Sequence, residues 1–197
     1  MKANQSVLLH KEPYIERDQR LLYKVVVFLL FLFCITTLSA QRTYTWTGGT
    51  NTAWNNTANW SQSPGGGTFP GDGAANDIVI IPNVTNQPVL STTLNNAIAS
   101  LTFAGTTNAA MQLTITGVTL TVTGNVTVNS VDQTRTVTLT GTGSLDCNAL
   151  NVGTVLGSLG NNRTLTFIHT LASTDVTNNI TLAIARVGTR NALTTFT

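Results

Sequence analysis

The chain carries very little charge over most of its length. After Gln41 it contains neither lysine nor glutamate, and its charged side chains there are five arginines and five aspartates. A formal charge near zero provides no basic patch that could hold the phosphate backbone of a nucleic acid. We therefore expect no nucleic-acid partner.

Cysteine is nearly absent as well. Cys147 is the single cysteine after Gln41, so that part of the chain cannot form an internal disulfide and must be stabilised by burial and backbone pairing. Cys34 follows Phe33, whereas a lipoprotein signal needs a small residue at that position. No base is adjacent to Cys147, and we interpret it as a small core residue rather than a nucleophile.

The first forty residues have the pattern of a signal peptide. A basic region precedes an apolar stretch at 25–35, and small residues at 36–40 offer a cleavage site before Gln41. A membrane anchor is the alternative, but the uncharged stretch 25–38 would span about 21 Å as a helix, against roughly 30 Å of hydrocarbon. We expect an extracellular or cell-surface protein that meets a membrane only through an uncleaved leader.

What the rest of the chain does contain is threonine, with 35 of the 157 residues from Gln41 onward. Threonine and valine favour strands, whereas asparagine and glycine favour tight turns. Low charge combined with many apolar residues is not the composition of a disordered chain. These features predict a folded, all-β body.

Two regions follow the leader: a Trp-, Gly- and Asn-rich segment at 41–76 and a repetitive segment at 77–197. The repeat is an apolar-Thr-apolar unit, whose period of two places both apolar side chains on one face and the threonine on the other. Each unit predicts one short strand of a half-buried sheet. The seven units begin at Leu101, Leu113, Leu120, Val126, Val137, Leu165 and Ile180.

The spacing of these units favours a right-handed parallel β-helix over the alternative, an antiparallel β-sandwich. Leu101, Leu120 and Val137 follow one another at similar intervals, and Leu150, Leu165 and Ile180 are evenly spaced. These intervals predict coils of roughly 15 to 20 residues. The strand pattern at 193–197 has no polar cap, so we expect a solenoid truncated at its C-terminus.

Part of the chain resembles a known family. The motifs are Trp46-Thr47-Gly48, Trp54-Asn55, Ala58-Asn59-Trp60, the strand at 77–82, Leu101-Thr102-Phe103 and the segment 119–124. Over roughly residues 44–128 they resemble the N-terminal part of large bacterial secreted β-helix and adhesin-like proteins exported by the type IX route. The resemblance implies a structural or adhesive role, and it carries no catalytic signature.

Trp46, Trp54 and Trp60 are the first candidate site residues. Exposed aromatic rings stack on sugars in carbohydrate-binding modules, so a glycan site is one interpretation. The alternative, which we favour, is that the rings cap the first coil and bury its open end.

Asp72, Asn76 and Asp77 are the second candidate, since carboxylate and amide oxygens bind calcium. Their spacing fits neither an EF-hand loop nor a glycine-rich calcium repeat, and turn capping explains them better. We expect no cofactor, with calcium as the alternative.

A polysaccharide-active enzyme of the pectate-lyase-like β-helix class is the main functional alternative. It would need clustered acids, but Asp132, Asp146 and Asp175 are isolated in sequence, and His169 is the single histidine after Gln41. Asp146 and Arg163 are separated by close to one predicted coil, so they are predicted neighbours in successive coils. The other scattered basic residues are Arg135, Arg186 and Arg190. The sequence predicts a non-enzymatic protein, with surface glycans or envelope components as its partners.

Overall fold

The computed structural model describes residues 19–28, 41–73, 75–105, 109–130, 134–155, 164–182 and 193–196. The chain divides into two compact units, Met1–Ser39 and Ala40–Thr197. The described part of the first unit is a helix over 19–28. Within the described ranges, no helix is both long enough and apolar enough to cross a membrane.

The second unit is built from short and medium strands, with one 3₁₀ turn at Thr57–Asn59. Its described strands are β1 (Thr43–Trp46), β2 (Trp60–Ser63), β3 (Ile78–Ile81), β4 (Val89–Leu90), β5 (Ser100–Phe103), β6 (Ala109–Ile115), β7 (Thr119–Ser130), β8 (Arg135–Thr140), β9 (Ser144–Val155), β10 (Thr164–Thr170), β11 (Ser173–Leu182) and β12 (Leu193–Phe196).

The strands form two sheets, and from β3 onward they alternate between the two along the chain. One sheet has the order β11-β9-β7-β5-β3-β1-β2, and the other has the order β12-β10-β8-β6-β4. All described strand pairs are parallel except β1 with β2. Parallel pairing between every second strand is the topology of a β-solenoid, so the predicted fold class is confirmed and the sandwich is not adopted.

The coils are longer than the sequence spacing predicted. Leu101 stands beside Val126, Val126 beside Leu150, and Leu150 beside Ile180, and each of these steps exceeds the predicted coil length. The prediction of short coils was wrong because each full coil contains three strand segments, and the similar units at Leu101, Leu113 and Leu120 all lie within one coil. The long strands β7 and β11 each supply two of these segments, separated by a register irregularity.

The inward residues of successive coils form continuous apolar columns. In six of the seven predicted units both apolar residues are buried while the threonine is partly or fully exposed, as the period of two predicted. Ile180 and Leu182 of the seventh unit continue these columns but are 57 % and 48 % exposed. Two columns run through Val79, Leu101, Val126 and Leu150, and through Ile81, Phe103, Val128 and Val152.

The outward residues stack in the same register and form polar ladders. The Thr170 hydroxyl donates to the Thr140 hydroxyl oxygen at 2.8 Å, and Ser173 donates to Ser144 at 2.8 Å. Stacked hydroxyl and amide pairs of this kind stabilise neighbouring strands modestly. They also leave a surface whose polarity comes from uncharged groups.

Gly141 occupies a corner that leaves no room for a side chain. Its φ is +122°, and a Cβ there would lie 2.1 Å from the carbonyl oxygen of Ile115 in the preceding coil. That carbonyl accepts the backbone N–H of Gly143 at 2.8 Å, so moving it would break a bond between coils.

We expect Gly141→Ala to lower the free energy of unfolding by more than about 3 kcal/mol, because positive φ and a backbone clash act together. Gly117→Ala is the matched control: φ there is +67°, but a Cβ would meet nothing within 4 Å. The control substitution should lower the free energy of unfolding by about 1 kcal/mol, because it strains the backbone conformation without causing a clash. Equal losses for the two variants in denaturant unfolding would contradict the close approach of the coils.

Candidate functional site

The three tryptophans and Tyr44 form one aromatic cluster beneath the first coil. Trp46 and Trp60 are paired across the antiparallel β1–β2 ladder. The Trp60 ring centroid lies 4.8 Å from those of both Trp46 and Trp54 and 6.1 Å from that of Tyr44, each in an edge-to-face arrangement. This geometry is favourable because the positive ring edge meets the negative ring face.

Each indole N–H is satisfied by a backbone carbonyl. Trp46 donates to Asn86 at 2.6 Å, Trp54 to Pro70 at 3.1 Å and Trp60 to Trp54 at 2.6 Å. The acceptors lie in three different loops, so the cluster also ties those loops together. The polar atom of each ring is thereby buried without an unpaired donor.

Asn59 fixes the turn that carries the cluster, and its side chain is fully buried. Its Oδ1 accepts the backbone N–H groups of Thr50 and Asn51 at 3.0 and 3.1 Å. Its Nδ2 donates to Asn51 Oδ1 at 2.7 Å and to the Ala53 carbonyl at 2.9 Å. All four hydrogen-bonding positions of the amide are used, which sets the loop directly before Trp60.

The burial of the rings bears on the two interpretations of the tryptophans. Trp46, Trp54 and Trp60 are 0, 1 and 6 % exposed. A stacked sugar needs an accessible ring face, and none of the three presents one. The arrangement therefore has the geometry expected of a cap.

Two of the three candidate calcium ligands, Asp72 and Asp77, accept hydrogen bonds from different partners. The Asp72 carboxylate accepts the Thr68 hydroxyl at 2.5 Å and Asn95 Nδ2 at 3.1 Å. Asp77 is buried and its Oδ2 accepts the Gly71 N–H at 2.9 Å, while its Oδ1 and the buried Oδ1 of Asn76 have no hydrogen-bond partner. Within the described ranges, no three acidic, histidine or cysteine side chains are grouped as metal ligands.

The positive charge of Arg42 acts on the carboxyl group of Asp77. Burial raises the pKa of the Asp77 carboxyl, and the Gly71 N–H and the Arg42 charge oppose that shift. Burial also raises the pKa of Tyr44, the Asp77 charge adds to the rise, and Arg42 opposes it. The side chains of Arg42, Tyr44 and Asp77 thus influence one another electrostatically.

The structure brings together two acids that are far apart in sequence. Asp175 pairs with Asp146 in the parallel register of β11 and β9, and Thr121 precedes them in the same outward row. The predicted neighbour Arg163 lies outside the described residues, as do Asp132, Arg186 and Arg190. The two aspartates are one observed coil apart in sequence. Because the predicted coil was shorter, the sequence analysis did not place them next to each other.

Cys147 and His169 both lie at inward positions. Cys147 is buried, and burial raises the pKa of its thiol, with the charges of Asp146 and Asp175 adding to the rise. A thiol held protonated is a poor nucleophile, as its interpretation as a core residue requires. His169 continues the column of Leu113 and Leu139, and its Nε2 lies 2.6 Å from the Thr174 hydroxyl.

Arg135, one of the scattered basic residues of the sequence, lies buried in the solenoid interior, and this placement was not predicted. Its side chain is 1 % exposed, and its Nη1 donates to the Asn129 carbonyl at 2.9 Å. Burial lowers the pKa of its guanidinium. The signal was present in the sequence, since Arg135 precedes the inward Val137 by two residues and so shares its face.

No family model, curated protein or solved structure matches this chain.

Replacing any one of the three tryptophans by alanine should lower the free energy of unfolding by about 3 to 5 kcal/mol, because a large buried aromatic leaves a cavity. Ser61→Ala is the control, since Ser61 follows Trp60 in β2 but is exposed. Thermal and denaturant unfolding measure the difference. Unchanged stability in the tryptophan variants, together with loss of binding on a glycan array, would favour the carbohydrate-binding interpretation.

Asn59→Asp should cost at least about 3 kcal/mol at neutral pH, because a buried carboxylate would face the Asn51 Oδ1 and the Ala53 carbonyl without donors. Asn56→Asp is the matched control: Asn56 caps the 3₁₀ turn by accepting the Ala58 N–H at 3.1 Å, which an aspartate also does. Similar unfolding midpoints for the two variants would show that the Asn59 amide does not fix the loop.

Proposed function

We propose that the chain is a secreted or cell-surface structural segment, adhesin-like and without catalytic activity of its own, which displays or spaces other modules. The observation that carries the proposal is the unbroken stacking of the inward columns from Val79 to Leu150. Each coil buries its apolar face against the next one, and this produces a stiff, extended scaffold.

The outward surface supports contact with neutral partners. Thr136, Thr138 and Thr140 point outward along β8, and the ladders on both sides add further hydroxyl and amide groups. Such groups hydrogen-bond to glycan hydroxyls or to ordered water without strong electrostatic steering. Surface glycans and uncharged envelope components are the partners that fit this chemistry.

A polysaccharide-active enzyme is the second candidate, because of the Asp146–Asp175 pair. Neighbouring strands lie about 4.8 Å apart, and the carboxyl groups of retaining glycosidases are separated by about 5 to 5.5 Å. Both aspartates are on the outward row, where a long glycan has access. Asp146 and Asp175 are therefore the residues to replace in a direct test of catalysis.

The full chain should bind glycans or cell surfaces without cleaving them. Pull-down on a panel of acidic and neutral polysaccharides measures binding, while new reducing ends and absorbance of unsaturated products measure cleavage. We expect no products above those of a buffer blank, and binding that survives in Asp146→Asn and Asp175→Asn. Cleavage by the wild-type chain that disappears in either variant, but persists in Thr121→Val, would replace the scaffold proposal by the enzyme.

A further inference from the structure

Arg135 breaks the apolar pattern of the solenoid interior. It stands in the inward column between Ala109 of β6 and Leu165 of β10, and it is among the largest fully buried side chains. Burying an ion without a partner of opposite charge costs several kcal/mol. A guanidinium does not escape that cost by losing its proton, since it remains charged in proteins.

The hydrogen bonds of Arg135 leave one complete edge of its guanidinium unused. Nη1 is anchored to the Asn129 carbonyl, whereas Nε and Nη2 are buried and have no hydrogen-bond partner in the described part of the chain. Nε–H and one N–H of Nη2 point the same way from the planar group. Together they form the fork that holds two oxygens of a carboxylate or a similar anion.

The electrostatics agree with this geometry. Burial lowers the pKa of Arg135, and among the described residues no charged group opposes that shift. Among the described residues, no carboxylate forms an ion pair with it. Within the described part of the chain, the charge and the two donors are therefore uncompensated in the same place, which is unusual for a native interior.

We propose that the buried Nε–Nη2 edge of Arg135 binds a small planar oxyanion, of the size of formate or bicarbonate, inside the solenoid. The anion accepts both N–H groups and neutralises the guanidinium, while the Asn129 carbonyl holds the other side of the group in place. Because Asn129 lies near the end of β7 and Arg135 begins β8, the bound anion helps to hold the ends of these two strands together. This site is independent of the proposed scaffold or adhesive function.

The test is thermal unfolding of the full chain while sodium formate replaces sodium chloride at constant total sodium. An anion that binds only the folded state raises the unfolding temperature with its concentration, and at a hundredfold excess over Kd the rise is on the order of 5 °C. The wild type should show a saturable rise. Thr136→Val, which alters the outward neighbour of Arg135, should show the same rise.

Arg135→Met should fold, because replacing a buried ion by an apolar side chain of similar volume is commonly tolerated, and its unfolding temperature should not respond to formate. Arg135→Lys keeps the charge but lacks the fork, so it should need at least about tenfold more formate for the same rise. Calorimetric titration of formate into the folded wild type at room temperature should give one binding site.

Two outcomes would overturn the proposal. In the first, Arg135→Met responds to formate as the wild type does, which would show a general salt effect. In the second, the wild type shows no response but Asp132→Asn does, which would show that a carboxylate of the chain itself occupies the fork. Absence of any response in all variants would equally exclude the site.

Discussion

Parallel in-register stacking of inward apolar residues is the constraint on which the rest of this structure depends. The described strands, from the short β4 to the longer β7 and β9, cannot fold alone. Stability arises because columns such as Val79, Leu101, Val126 and Leu150 bury one side chain against the next across successive coils. With no disulfide available to Cys147, the described unit relies on these columns and on the backbone bonds between coils.

Such stacking creates a problem at an end, where the column meets solvent. Beneath the first coil, aromatic side chains cover this open end. Trp60 contacts three other rings, and the antiparallel strand β2 covers the outer side of β1. The Asn59 amide holds the turn in which the cap changes direction. It does so through side-chain hydrogen bonds to backbone groups, which an apolar residue cannot make. The cap is thus a packed aromatic structure in which the Asn59 amide and the indole N–H groups are paired with backbone groups.

The sequence was sufficient to predict the strands and which of their residues face the core, but it was insufficient to predict the length of a coil. A period of two correctly identifies which residues are inward in six units, because that property depends on the strand alone. Coil length depends on how many similar strands complete one turn of the solenoid. Leu101, Leu120 and Val137 carry the same local pattern, but they do not stack on one another. Leu101 stacks on Val126, Leu120 on Leu145 and Val137 on Phe167. Corner residues and bulges set that number, and they have no comparable periodicity. The Asp146–Asp175 pair was missed for this reason, whereas Arg135 could have been found from the period of two.

Departures from the pattern are where chemistry specific to this chain can reside. A uniform ladder of threonines repeats the same groups in every coil, so it distinguishes poorly between ligands. Arg135 in an apolar column, His169 below Leu139, and the stacked Asp146 and Asp175 each replace the residue that the pattern favours. In general, a charge is costly to bury and like charges on neighbouring strands repel each other. Arg135 bears the largest of these costs because it is fully buried, whereas the two aspartates reach solvent. Among the described residues Arg135 has no carboxylate partner, and the proposed oxyanion would supply the missing negative charge.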